Sequence, residues 1–116
     1  MADPIKASAV GVAVDESLAT LLDWTEMAHL NAFGIWIENA GGGSAQALSE
    51  IQYDIAIDSG GTLGVHILTD TITLPIASGV TVHENFSEVV PYLRIRGNCA
   101  AGEDTTANLW IVELGR

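Results

Sequence analysis

The sequence predicts an all-β protein, an antiparallel β-sandwich of jelly-roll-like character. Three observations carry this. Hydrophobic residues recur with period two in successive runs, the runs follow one another at a spacing of about ten residues, and Gly, Pro, Asn or Asp turn signals separate them. Strands that are apolar on one face must bury it, and two sheets packed face to face are the usual solution.

From the N-terminus, Ile5 to Val14 alternates small residues (Ala7, Ala9, Gly11, Ala13) with Val10, Val12 and Val14, as in a strand with one closely approached face. Residues 1–14 are therefore an N-terminal strand or arm. Between Asp15 and Asn31, Leu18, Leu21, Leu22 and Thr25 fit a helical stripe with Asp15 or Ser17 as N-cap, while the threonines and Trp24 equally suit a strand and a loop. Strand then loop is the reading adopted, with a short helix near residues 24–31 allowed.

Phe33, Ile35 and Ile37 share one strand face, leaving Gly34, Trp36 and Glu38 on the other. Gly41-Gly42-Gly43-Ser44 is a flexible connection, too short to link domains. Ile51, Tyr53, Ile55 and Ile57 alternate with Gln52, Asp54, Ala56 and Asp58, a half-buried strand. Asp58-Ser59-Gly60-Gly61 reads as a turn, with Leu63, Val65 and Ile67 as the returning strand. Ile72, Leu74 and Ile76 alternate with threonines, and Pro75 inside that run demotes it to an edge strand or a strand end.

Val80 and Val82 begin another short strand. Val90 to Gly97 follows, with Leu93 and Ile95 inside and Tyr92, Arg94 and Arg96 outside. Asn98 to Asp104 is a loop, and Thr105 to Leu114 closes the chain. That last run is apolar on both faces, Leu109 and Ile111 on one, Trp110, Val112 and Leu114 on the other, so a second surface must cover it.

The 116 residues suffice for a single self-supporting domain, residues 1–116, without a metal or disulfide. With 15 acidic against 4 basic residues the net charge is −11, and Lys6, Arg94, Arg96 and Arg116 cannot form the basic stripe that nucleic acid or an anionic membrane requires. Hydrophobic residues at 48% and a mean hydropathy of +0.32 oppose disorder. No apolar run approaches the roughly 20 residues of a membrane-spanning helix. A secretory signal is not expected, because Asp3 stands in the would-be basic region. Cys99, the single cysteine, cannot form an intrachain disulfide and is compatible with synthesis in a reducing cytoplasm.

Catalytic patterns are missing. The glycine run lacks the Lys-Ser/Thr of a phosphate loop, and no Gly-x-Ser-x-Gly elbow occurs. His29, His66 and His83 are dispersed without zinc-ligand spacing, and Cys99 sits among small residues as a structural thiol. Asp54, Asp58 and Asp70, or Glu103 and Asp104, are the carboxylates from which a calcium cage would have to be built, though no EF-hand spacing is present. No nucleophile, base or metal cluster can be named, so neither an enzyme nor a cofactor is expected. The most informative residues are the outward aromatics, Trp36 and Tyr92, which on a sparsely charged chain suggest contact with another protein.

The run Val90-Pro91-Tyr92-Leu93-Arg94-Ile95-Arg96-Gly97, a small-residue loop, then Thr105-Thr106-Ala107-Asn108-Leu109-Trp110-Ile111-Val112 resembles the closing hairpin of small tailed-phage virion β-sandwich proteins. Phe33-Gly34-Ile35-Trp36-Ile37 and Ile51-Gln52-Tyr53-Asp54-Ile55 extend the likeness over residues 33–114. The resemblance implies a head decoration, or cement, protein on the capsid surface of a bacteriophage virion, made in the host cytoplasm. It further implies a homo-oligomer, a trimer by expectation, bound to the major capsid protein or other virion proteins and to neither nucleic acid nor membrane. The expected interface residues are Trp36, Tyr92 and Trp110 as apolar anchors, with Arg94 and Arg96 as partners for acidic groups. A tail, neck or fibre-base component is the alternative within the virion. A carbohydrate-binding sandwich using Trp24, Trp36 or Trp110 as stacking platforms is the alternative outside it.

Overall fold

The computed structural model describes residues 5–41, 46–63, 66–68 and 74–115. Its strands are β1 (Ile5–Val14), β2 (Ala19–Glu26), β3 (Ala32–Asn39), β4 (Leu48–Ala56), β5 (His66–Leu68), β6 (Thr81–Phe86), β7 (Tyr92–Cys99) and β8 (Thr105–Gly115). They form two four-stranded sheets, ordered β1-β8-β3-β6 and β2-β7-β4-β5, and every pairing is antiparallel. The pairs β1·β8, β2·β7, β3·β6 and β4·β5 are those of one long ribbon folded at its middle. Rolling that ribbon adds β8·β3 and β7·β4 and yields the jelly roll expected from the sequence. Among the described strands only β4 and β5 are consecutive members of one sheet; the other successive strands alternate between the two sheets.

Alternation places the core. Phe33, Ile35 and Ile37 of β3 and Ala107, Leu109 and Ile111 of β8 face Ile51 and Tyr53 of β4 and Leu93 and Ile95 of β7, all buried. Phe86 bridges the layers, stacked on Phe33 at 5.2 Å between centroids and edge-on to Tyr53 at 5.6 Å.

Several expectations change. The 24–31 segment holds no helix: β2 runs through Glu26, and a turn with Leu30 N–H bonded to Met27 O follows. The helical look of Leu21-Leu22 comes from register shifts in β2, between Thr20 and Leu22 and again before Thr25, which let two consecutive leucines both turn inward. The closing pair is not a hairpin, since β7 and β8 belong to opposite sheets and the intervening loop carries the chain between them. Of residues 1–14, Ile5–Val14 is the edge strand β1, and residues 1–4 lie outside the described residues. Among the described residues the returning strand after Asp58 covers His66–Leu68, and Leu63 lies outside it, exposed. Ile76 contributes a single bridge to Leu48. Val65, Ile72, Asp70 and the Gly42-Gly43-Ser44 connection lie outside the described residues.

Candidate functional site

The five residues expected to form an interface fall on opposite sides of the sandwich. Trp36 and Trp110 are directly paired across β3 and β8 on the outer face of the first sheet. Tyr92, Arg94 and Arg96 occupy the outer face of the second, opposite Ala56, Asp54 and Gln52 of β4. The expected residues thus lie on two separate surfaces.

On the first, a row of rings crosses the sheet. Trp110 neighbours Trp36, and Trp36 stacks on His83 of β6 at 4.4 Å and 14°. Ile5 of β1 pairs with Val112 of β8, and Ile5, Trp36, Trp110 and Val112 line an open depression of about 210 Å³. Gly34 shapes the floor beside it. A Cβ there would lie 2.7 Å from Asn85 Oδ1 and 2.9 Å from Val112 Cγ2, so the missing side chain is what lets these neighbours close over the strand. Trp36 is 39% exposed, Ile5 43% and Leu114 51%, an apolar surface among the described residues. Acidic residues largely avoid it. Glu84 and Glu113 pair with Ile35 and Phe33 on the inward alternation, and Glu38, which shares the face with Trp36, accepts from Asn108 Nδ2 at 2.8 Å.

The second surface is polar and self-satisfied. Asp54, wholly buried, accepts from Arg94 Nε and Nη2 at 2.9 and 2.6 Å and from Arg96 Nη2 at 3.2 Å, while Arg96 Nε makes an ion contact at 2.7 Å. Arg96 also donates to Gln52 Oε1 at 2.8 Å. Arg94 lies 4.6 Å over the Trp24 ring, and the Gly61 backbone, at φ 72°, covers that indole so closely that any Cβ would overlap it. The arginines expected to meet a partner's carboxylates thus bind one within the chain, and Trp24 is covered rather than offered to a sugar.

The remaining candidates are placed as follows. Asp58 closes its own loop, accepting from the Thr62 amide and hydroxyl at 3.2 and 2.7 Å and from Leu63 N–H at 2.8 Å; these bonds hold its carboxyl below the ordinary range. Cys99 is buried at the end of β7, and burial first, then Glu103, Asp104 and Asp15, pushes its thiol up, away from nucleophilic character. His29 is an exposed neighbour of Glu26 at 3.5 Å. Among the described residues no three His, Cys, Asp or Glu side chains gather as metal ligands.

Sequence reasoning overlooked Asn39. Fully buried, it donates from Nδ2 to Gln46 O and Ile76 O, both at 2.9 Å, and accepts at Oδ1 from Thr105 Oγ1 at 2.7 Å and Gly41 N–H at 3.2 Å. A single asparagine at a strand end carries no sequence signal of such a role. Compared with protein-family models, curated proteins and solved structures, the chain matches none.

Proposed function

We propose that this protein is a non-catalytic structural component of a phage virion, a head decoration protein that stabilises the shell by bridging capsid subunits. The observation that supports this most directly is the Trp36–Trp110 face. A sheet that leaves Trp36, Ile5 and Leu114 exposed beside a half-buried Trp110, on a chain with only 16% charged residues, gains by covering them with protein. The jelly roll agrees, being an architecture that viral capsid domains use, although it also serves lectins. The mechanism is area burial repeated over a lattice, at about 25 cal/mol per Å² of apolar surface, with the acid surplus keeping unassembled chains soluble.

The test is recovery of the protein with purified particles in a fixed ratio to the major capsid protein, with Trp36→Glu lowering occupancy. Absence from particles would overturn the reading. Copy number separates a head position from a tail, neck or fibre-base one. Trp36 and Trp110, side by side on an open face, also suit stacking on a sugar; glycan binding lost in Trp110→Ala, with no particle association, would install the carbohydrate reading instead.

A further inference from the structure

We propose that the outer face of the β1-β8-β3-β6 sheet is a two-fold interface with a second copy of this chain. The proposal rests on the assembly reading above and names the occupant of that same face.

Charge supports a second copy. Two chains that each carry −11 repel wherever carboxylates meet, and on this face the carboxylate beside Trp36, that of Glu38, is already engaged by Asn108. Asn108 is neutral, so the Glu38 charge persists, but with Glu38 as the carboxylate beside Trp36 the opposition to a second copy is small, and the described residues of this face form no basic cluster for an acidic partner. Trp36, Trp110, Val112 and Leu114 would leave water on both sides at once.

Area points the same way. Four strands about 4.8 Å apart and roughly 26 Å long present about 500 Å² in projection. Two such faces bury about 1,000 Å², the threshold for a specific interface. A single added peptide strand would cover about a quarter of the surface, whereas another sheet face covers it whole.

Shape completes the argument. The depression lined by Ile5, Trp36, Trp110 and Val112 and the projecting Leu114 lie on one face. An isologous contact, with its two-fold axis in the contact plane, sets each copy's projections against the other's depression. The pair then turns both second-sheet faces, with Tyr92, outward. A one-contact subunit becomes a two-armed bridge, as a cement function needs.

Sedimentation velocity on the isolated protein at about 50 µM, a concentration that populates a micromolar-Kd dimer, tests this. A species of twice the 12.2 kDa chain mass is expected. Leu114→Glu and Trp36→Glu should each shift it to the monomer with the far-ultraviolet circular dichroism of the wild type, while Tyr92→Glu on the opposite sheet leaves it dimeric. Leu114, at a half-exposed strand end, keeps the test valid if the Trp36 variant misfolds. A monomeric wild type, a trimer, or a dimer indifferent to Leu114→Glu overturns the proposal. Since particle occupancy is measured separately, a monomer that still decorates particles refutes the two-fold pairing alone, and a dimer absent from particles refutes the virion role alone.

Discussion

The Thr105 hydroxyl donates to Asn39 Oδ1 at 2.7 Å, and both residues are buried. Asn39 thereby joins the end of β3 to the start of β8, while its amide group holds Gln46 O and Ile76 O on the approach to β4. All four of its side-chain hydrogen-bond positions are used. Asn39→Ala should cost about 2–4 kcal/mol in urea unfolding, because it strands several buried polar groups. Asn39→Asp should be worse at neutral pH, since a carboxylate would face two carbonyl oxygens.

Asp54 holds two guanidinium groups on the second sheet. Asp54→Ala should destabilise by about 2–3 kcal/mol, below the figure for a fully enclosed pair because Arg94 and Arg96 keep about a quarter of their side-chain surface in water. Arg94→Lys should retain the charge yet lose the two-pronged contact and the stacking on Trp24, and thermal unfolding should fall in that variant too.

Gly61 tests the cover over Trp24. Gly61→Ala places a Cβ both at positive φ and inside the indole, so the loop must lift. A loss of about 1–2 kcal/mol is expected, with Trp24 fluorescence shifted to the red. An unchanged emission spectrum would show that the loop does not seal the ring.

Phe33 and Trp36 stand on opposite faces of β3. Phe33→Ala should cost about 3–5 kcal/mol by opening a cavity against Phe86 and the inner face. Trp36→Ala should cost about 1 kcal/mol in the isolated chain, since it loses mainly the stacking on His83. Equal losses would mean that the outer face is part of the folding core.

Two titrations act at opposite ends of the pH scale. Asp58 is held low, so its contribution is present above the ordinary carboxylate range and is lost as pH falls through its folded value. The protection factor of the Leu63 amide, taken relative to its intrinsic exchange rate, should drop there, and Asp58→Asn should remove that dependence. Cys99 is held high, so its contribution is complete below the ordinary thiol range and fades as pH rises through its folded value. Stability should fall on that alkaline side, Cys99→Ala should flatten the slope, and alkylation of the wild type should be slow at pH 8.

Much of this fold is legible in the residues. Ile51, Tyr53 and Leu93 announce their inward face by alternation, and the clear runs Ile5–Val14 and Thr105–Leu114 match β1 and β8 within one residue. Leu21-Leu22 misleads because a bulge breaks the period-two rule locally, so two inward leucines imitate a helix. The loop after Cys99 misleads because a short polar connection serves a hairpin and a crossing between sheets equally well.

Composition and periodicity determined by themselves that the chain is a β-sandwich, that Phe33, Ile35, Ile51, Tyr53, Leu93 and Ile95 face inward, and that Trp36 and Tyr92 face the other way. These are local properties, set by the two-residue repeat of an extended backbone and by the cost of leaving apolar groups in water. Only the tertiary structure decided which strands are neighbours. It brought Trp36 beside Trp110, set Tyr92 on the far sheet and gave Arg94 and Arg96 to Asp54. The reason is that strand pairing is satisfied by backbone groups common to all residues, so partners distant in sequence are chosen by how the whole ribbon rolls closed around its core.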